Sequence, residues 1–261
     1  MAVIPSGVEE SLDASEGATD VSTSLDMTAS LFAALLVYHD ASPHSAAMNM
    51  AIDEALLEQA AIPSIRFYRW QSPALSFGYF GKFADVASYA GERDLVRRWT
   101  GGGIVLHCED LTYSIVIPAG DVAFGESSIS IYEKIHNSLC DALNASGEHS
   151  IVIGGVDPGP IGSATRAAVT ASGYNCFANP VRADVMQNGR KIAGAAQRRT
   201  RRGLLQQGSI QGVDLENHLA ERFAHALSNH RSEQKIDEEM LNRARELAHC
   251  KYGTTAWLRK R

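Results

Sequence analysis

Four stretches of this 261-residue chain carry apolar residues at helical spacing, and ten shorter ones carry them as alternations or brief runs. Ile131, Ile135, Leu139 and Leu143 fall on one helix face, opened by the capping box Ser130-Ile131-Tyr132-Glu133 and stopped by Gly147. Met48, Ile52 and Leu56 mark an earlier helix, Leu215, Leu219, Phe223 and Leu227 a later one, and 236–248 the last. Strands are expected over 35–39, 65–70, 75–79, 95–99, 104–107, 113–117, 150–153, 183–187, 191–198 and 203–210. Strand-rich order with interspersed helices predicts an α+β fold with a mixed, largely antiparallel sheet flanked by helices.

Residues 1–30 break this pattern. They hold six acids (Glu9, Glu10, Asp13, Glu16, Asp20, Asp26), no Lys or Arg and no apolar periodicity, so a disordered acidic tail is expected, followed by a single catalytic domain over 31–261. The tail also accounts for the net charge of −6: without it 24 acids face 24 bases. It lacks the positive start of a secretory signal and the arginines of a transit peptide, and the apolar stretch 31–37 is too short to span a bilayer. A cytoplasmic protein with no membrane or nucleic-acid partner is the expectation.

The chemistry concentrates in two runs. In the first, Cys176 precedes Lys191 by fifteen positions, and Lys191 is followed by Ile192, Ala193, Gly194, Ala195 and Ala196, whose small side chains let a ligand approach the backbone. A thiolate is a strong nucleophile near neutral pH, and an ammonium beside it lowers its pKa or stabilises an oxyanion. The plain alternative is a packed cysteine and a solvated lysine. The second run, Leu95 to His107, reads as strand, glycine turn, strand around Gly101, Gly102 and Gly103, where the backbone takes positive φ or lies against a ligand. Alternation sends Arg97 and Arg98 to opposite faces, so one of them points into a site.

The other cysteines, at 108, 140 and 250, form no metal spacing. Cys140 and Cys250 are expected as packing, and Cys108 as the second-ranked nucleophile. The stretch 154–173, rich in Gly, Pro, Ala, Ser and Thr, is either a cover over the site or an inert surface loop. Arg198, Arg199, Arg201 and Arg202 form a hairpin tip that is either solvated or steers acidic partners.

Together the runs resemble the biotin/lipoate protein ligase superfamily, whose R-R-x-[ST]-G-G, V-x-H and G-[RK]-K-[IL]-x-G-[SA]-A-Q patterns are met by Arg97 to Gly102, Val105 to His107, and Gly189 to Gln197. Cys176, Phe177, Pro180, Asp184, Gly189, Arg190 and Lys191 are similar to the pattern of its octanoyltransferases. The resemblance implies the catalytic fold of that superfamily. It implies transfer of an octanoyl group from acyl carrier protein, through a Cys176 thioester, to a lysine of a lipoyl domain or glycine cleavage H protein, with no cofactor. Cys176 and Lys191 would be catalytic, and Arg97, Arg98, Thr100, Gly101, Gly102, Gly103, His107, Gly194 and Ala195 would bind substrate. Gly103, at a position where the octanoyltransferases carry arginine, points instead to ATP-dependent lipoate ligases, which use ATP and Mg. A non-catalytic acyl-binding or lipoyl-domain-binding protein is a third reading.

Overall fold

The computed structural model describes residues 30–147, 149–154, 180–215 and 217–260. The acidic tail up to residue 29, the stretch 155–173, Cys176 and Phe177 lie outside the described residues.

Eight strands form one sheet: β1 (Leu35–His39), β2 (Ser64–Tyr68), β6 (Leu111–Pro118), β7 (Ser150–Val152), β8 (Val185–Gln187), β9 (Arg190–Arg199), β10 (Gly203–Ile210) and β11 (Arg231–Gln234). Their order is β11-β1-β2-β6-β10-β9-β8-β7, with β1 parallel to both neighbours and every other pairing antiparallel. The expected mixed, largely antiparallel sheet is what the chain forms.

Strand alternation dresses both faces with apolar side chains, and helices cover each. Tyr113, Ile115 and Ile117 of β6 pack against Ile131, Ile135 and Leu139 of α2 (Ser128–Asn144) and Phe223 of α3 (Leu219–Leu227). Val116 and Leu205 face the other way, toward Ile52 and Leu56 of α1 (Ala46–Gln59) and Met240, Ala244 and Leu247 of α4 (Glu238–Leu247). The helix expected over 236–248 is α4, and a π-helical turn (Ala248–Tyr252) and α5 (Thr255–Leu258) follow it.

The sequence places the start of α2 at Ser130; the structure places it one turn earlier. Ser127 is the cap, its hydroxyl accepting from the Ser130 amide at 3.2 Å, and the Ser130 hydroxyl instead donates to Glu126 at 2.6 Å. Two serines three residues apart compete for one cap, and the earlier wins because its side chain reaches the orphan amide.

The strand, glycine turn and strand expected over 95–107 are present, but the two strands do not pair with each other. β4 (Asp94–Arg97) and β5 (Ile104–His107) are separated by β3 (Ala74–Phe77), parallel to β4 and antiparallel to β5, in a second, three-stranded sheet. The glycine segment therefore crosses the end of β3, tied to it by Arg98 N donating to Phe77 O and Tyr79 N to Thr100 O, each at 2.8 Å. This crossing lays the three glycines over the space between the two sheets.

Candidate active site

That space is a narrow cleft of about 430 Å³ including its open end, with Trp70, Arg98 and His107 on one side and Gly194, Ala195 and Gly208 on the other. It shares Gly102, Ala195 and Ala196 with an open hollow bounded by Ile129 and Val181, which forms its mouth.

Of the three glycines, Gly102 takes positive φ (+83°), and a Cβ there would lie 3.2 Å from both Ala196 Cβ and Arg98 Nη2. The segment is held from below by Arg98, which donates to the carbonyls of Gly101 (3.0 Å) and Gly103 (2.8 Å) and to Ser76 Oγ (2.6 Å). Ser76 in turn hydrogen-bonds His107 Nε2, and His107 Nδ1 faces Asp110 Oδ2, both at 2.7 Å. Burial pushes the His107 imidazole below its ordinary value even beside Asp110. Burial works to raise the Asp110 carboxyl, but the hydrogen bond and charge of His107, then the hydroxyls of Ser209 and Thr112, hold it low. A neutral His107 therefore donates through Nδ1 and accepts from the Ser76 hydroxyl, and the relay from Asp110 to Arg98 ends on glycine carbonyls. His107 also stacks on Trp70 with ring centroids 4.0 Å apart, a cleft-wall residue that the sequence reading did not single out.

Arg97 points elsewhere, as strand alternation requires of one of the pair. Its guanidinium donates to five carbonyls: Tyr79, Gly81, Trp257, Leu258 and Lys260. It anchors the C-terminal segment and does not line the cleft. Thr100 is buried and donates to Gln207 Oε1 at 2.8 Å, while Gln207 Nε2 donates to Asp53 Oδ2 at 2.7 Å. Gln207 is thus the strut that fixes the glycine segment to α1.

Lys191 is 3% exposed, and its Nζ lies 2.7 Å from Asp184 Oδ2. The amide of Val181 donates to the same oxygen at 2.7 Å, and the Tyr132 hydroxyl to Oδ1 at 2.8 Å. Ala195 N donates to the Tyr132 oxygen at 2.8 Å, which fastens this group to the cleft wall. Burial, then the Asp184 charge, holds the Tyr132 phenol protonated. The absent side chain of Gly194 makes room for the lysine: a Cβ there would stand 2.5 Å from Lys191 Cε and 2.6 Å from Nζ. The lysine end therefore sits directly behind a residue of the cleft wall. A solvated strand lysine, the plain alternative, is not what is found.

Cys176 lies outside the described residues, so the structure gives it no position relative to Lys191. Cys108 is exposed just past β5. Cys140 is buried and its thiol pushed up to about 12 by burial, then by Asp141, consistent with packing. Cys250, expected as packing, is exposed on the π-helical turn. The arginine tip is dispersed: Arg198 lies over Trp99 and Tyr79, Arg199 donates to the carbonyls of Phe124 and Glu126, and Arg202 pairs with Glu58. Among the described residues no group of three or more His, Cys, Asp or Glu could hold a metal ion.

Residues 45–250 match the family model of the lipoyl protein ligase A/B catalytic domain. The chain belongs to that family.

Members similar to this catalytic domain include the octanoyltransferase LipM of Oceanobacillus iheyensis, 37% identical over 177 residues (65% of this chain, 61% of that protein). That of Staphylococcus epidermidis is 33% identical over 207 residues (75% and 72%). The chain spans 61% to 66% of the length of the first such relatives. Among solved structures, a lipoate-protein ligase A bound with ATP superposes with a TM-score of 0.66 at 22% identity, covering 87% of this chain and 98% of that one. The bi-partite lipoate protein ligase of Thermoplasma acidophilum gives 0.60 at 21%, covering 87% and 96%. The catalytic domain thus has the lipoate ligase fold. Among the described residues no helix is long and apolar enough to cross a membrane.

Proposed function

We propose that residues 31–261 act as a single catalytic domain that transfers an octanoyl group from acyl carrier protein to a lysine of a lipoyl domain or glycine cleavage H protein. The observation that carries this reading is the Lys191 ammonium, buried on Asp184 behind Gly194 at the wall of a largely apolar cleft, in a chain similar to proteins named octanoyltransferase.

In the first step the Cys176 thiolate adds to the thioester carbonyl and the carrier thiol leaves, exchanging one thioester for another without ATP. In the second the acceptor amine adds to the enzyme thioester, loses its proton, and expels the Cys176 thiolate as the amide forms. Lys191 supplies positive charge to the thiolate or to the oxyanion of each addition. Asp184 and Tyr132 hold it in place, so little reorganisation is needed during reaction. Gly102, Gly194 and Ala195 leave the cleft narrow and smooth enough for an acyl chain, while Arg98, Thr100 and His107 shape its walls through the glycine segment.

Gly103 favours a second reading, an ATP-dependent ligase. Intact-mass measurement separates the two. Incubation with octanoyl-acyl carrier protein and no ATP is expected to add one octanoyl group to Cys176, released by hydroxylamine. A requirement for ATP, a label on Cys108, or no label under either condition overturns the transferase reading.

A further inference from the structure

The guanidinium of Arg97 draws two segments together, the loop 79–81 and the chain at 257–260. Between them opens a hollow of about 1300 Å³ including its open side, separate from the cleft and lined by Tyr79, Phe80, Lys82, Phe83, Arg259 and Lys260 together with two small residues. Three of its side chains are cations, and among the described residues no carboxylate side chain lines it. Its aromatic content is as marked: Phe80 is 84% exposed and meets Tyr79 edge to face at 5.1 Å, Arg259 lies 4.8 Å over the Phe83 ring, and Lys260 Nζ sits 2.6 Å from the Tyr79 hydroxyl. A large aromatic side chain left almost fully in water among fixed cations is a feature of interaction surfaces.

Position ties this surface to the cleft. Tyr79 N donates to Thr100 O, and Arg198 lies 5.1 Å from the ring centroids of both Tyr79 and Trp99, so the hollow abuts the glycine segment. An acceptor lysine reaches the cleft only on its own short side chain, so its domain must sit over the mouth at Ile129 and Val181. A donor whose thioester ends a long, flexible, phosphate-bearing arm can dock to one side and reach across.

We propose that this hollow docks the acidic carrier protein that delivers the acyl thioester, its carboxylates and arm phosphate facing Lys82, Arg259 and Lys260 and its apolar surface covering Phe80; the inference rests on the transferase reading above. Complementary charge of this kind raises the rate of encounter and selects the partner more than it changes chemistry within the cleft. The surface therefore affects the use of the carrier protein and leaves small donors untouched.

The test uses the full chain carrying Lys82→Glu and Arg259→Glu together, with Phe80→Ala as a second variant. The charge-reversed protein is expected to show a Michaelis constant for octanoyl-acyl carrier protein raised about tenfold or more, with weaker salt dependence and unchanged kcat. Its kinetics with octanoyl-N-acetylcysteamine, which lacks protein and phosphate, should match the parent, as should its Michaelis constant for the acceptor domain. An unchanged value for the carrier protein overturns the proposal, and so does a rise confined to the acceptor. Should the parent accept no octanoyl donor at all, the transferase reading fails on its own account. Titration of labelled acyl carrier protein with parent and reversed chains at low salt then decides the surface, and equal affinities overturn it.

Discussion

His136 Nδ1 lies 2.5 Å from the carbonyl oxygen of Ala183, a residue held fully buried at φ +68°. A left-handed alanine costs roughly 1–2 kcal/mol, so the surrounding structure must impose it. His136 and Tyr132 stand one helical turn apart on α2, and both reach the segment that presents Asp184 to Lys191. Burial lowers the His136 imidazole to about 4. A neutral ring donating through Nδ1 must accept at Nε2, which fixes the Tyr113 hydroxyl, 2.9 Å away, as the donor there.

This buried imidazole gives stability a definite pH dependence. Its value falls from an ordinary 6.5 unfolded to about 4 folded, so between those values the unfolded chain binds the extra proton and stability drops as pH falls. The full loss is on the order of 3 kcal/mol, and little of it arises above about pH 7. His107, also lowered by burial, acts in the same direction. Urea unfolding midpoints from pH 7 to pH 4.5 should fall in the parent and fall less steeply in His136→Gln; parallel curves would remove His136 from the account.

Gly194→Ala should leave the fold standing and disable chemistry. The new methyl would overlap Lys191 Cε and Nζ and displace the ammonium while it stays paired with Asp184. Displacement of a reacting group by about 1 Å can cost roughly a hundredfold in rate. Acylation of Cys176, followed by intact mass, should slow by about that factor while the melting curve stays within a few degrees of the parent, on the order of 1 kcal/mol.

Removing the lysine alone should also damage the fold, because Lys191→Met strands a buried Asp184 carboxylate at a cost of about 3–5 kcal/mol. The double variant Asp184→Asn with Lys191→Met should regain most of that stability and none of the activity. Chemical denaturation beside acylation rates checks both halves. Restored transfer in the double variant would show that the charge is not needed.

Gly102→Val should abolish transfer while Cys176 keeps its reactivity toward iodoacetamide. A branched side chain at φ +83° is strained, and it would press on Ala196 and on the Arg98 group that carries the glycine segment. Parent-rate transfer in this variant would place the acyl chain elsewhere.

Much of this was legible in the sequence where the signal was local. Leu35–His39, Ile104–His107 and Gly203–Ile210 have the bounds their apolar runs suggest. β11, with sequence RSEQ, has no apolar residue, since an exposed edge strand is held by backbone bonds to β1 and needs none. The two strands expected on either side of the glycine turn formed, but spacing does not encode that β3, twenty residues upstream, supplies the pairing edge to both. Alternation showed that Arg97 and Arg98 diverge but could not say which faces the cleft. Tyr132 and His136 lie beside the apolar face of α2, and their partners Asp184 and Ala183 lie about fifty residues later.

Arg97 donates to carbonyls that follow it by 160 to 163 residues, and it is 1% exposed. A nascent chain emerges in sequence order, so this cation leaves the ribosome long before three of the five oxygens that satisfy it exist. A polypeptide stalled before residue 257 contains the whole cleft wall but only two of those five carbonyls, at Tyr79 and Gly81. The guanidinium is thus satisfied in full only once the chain has emerged through Lys260.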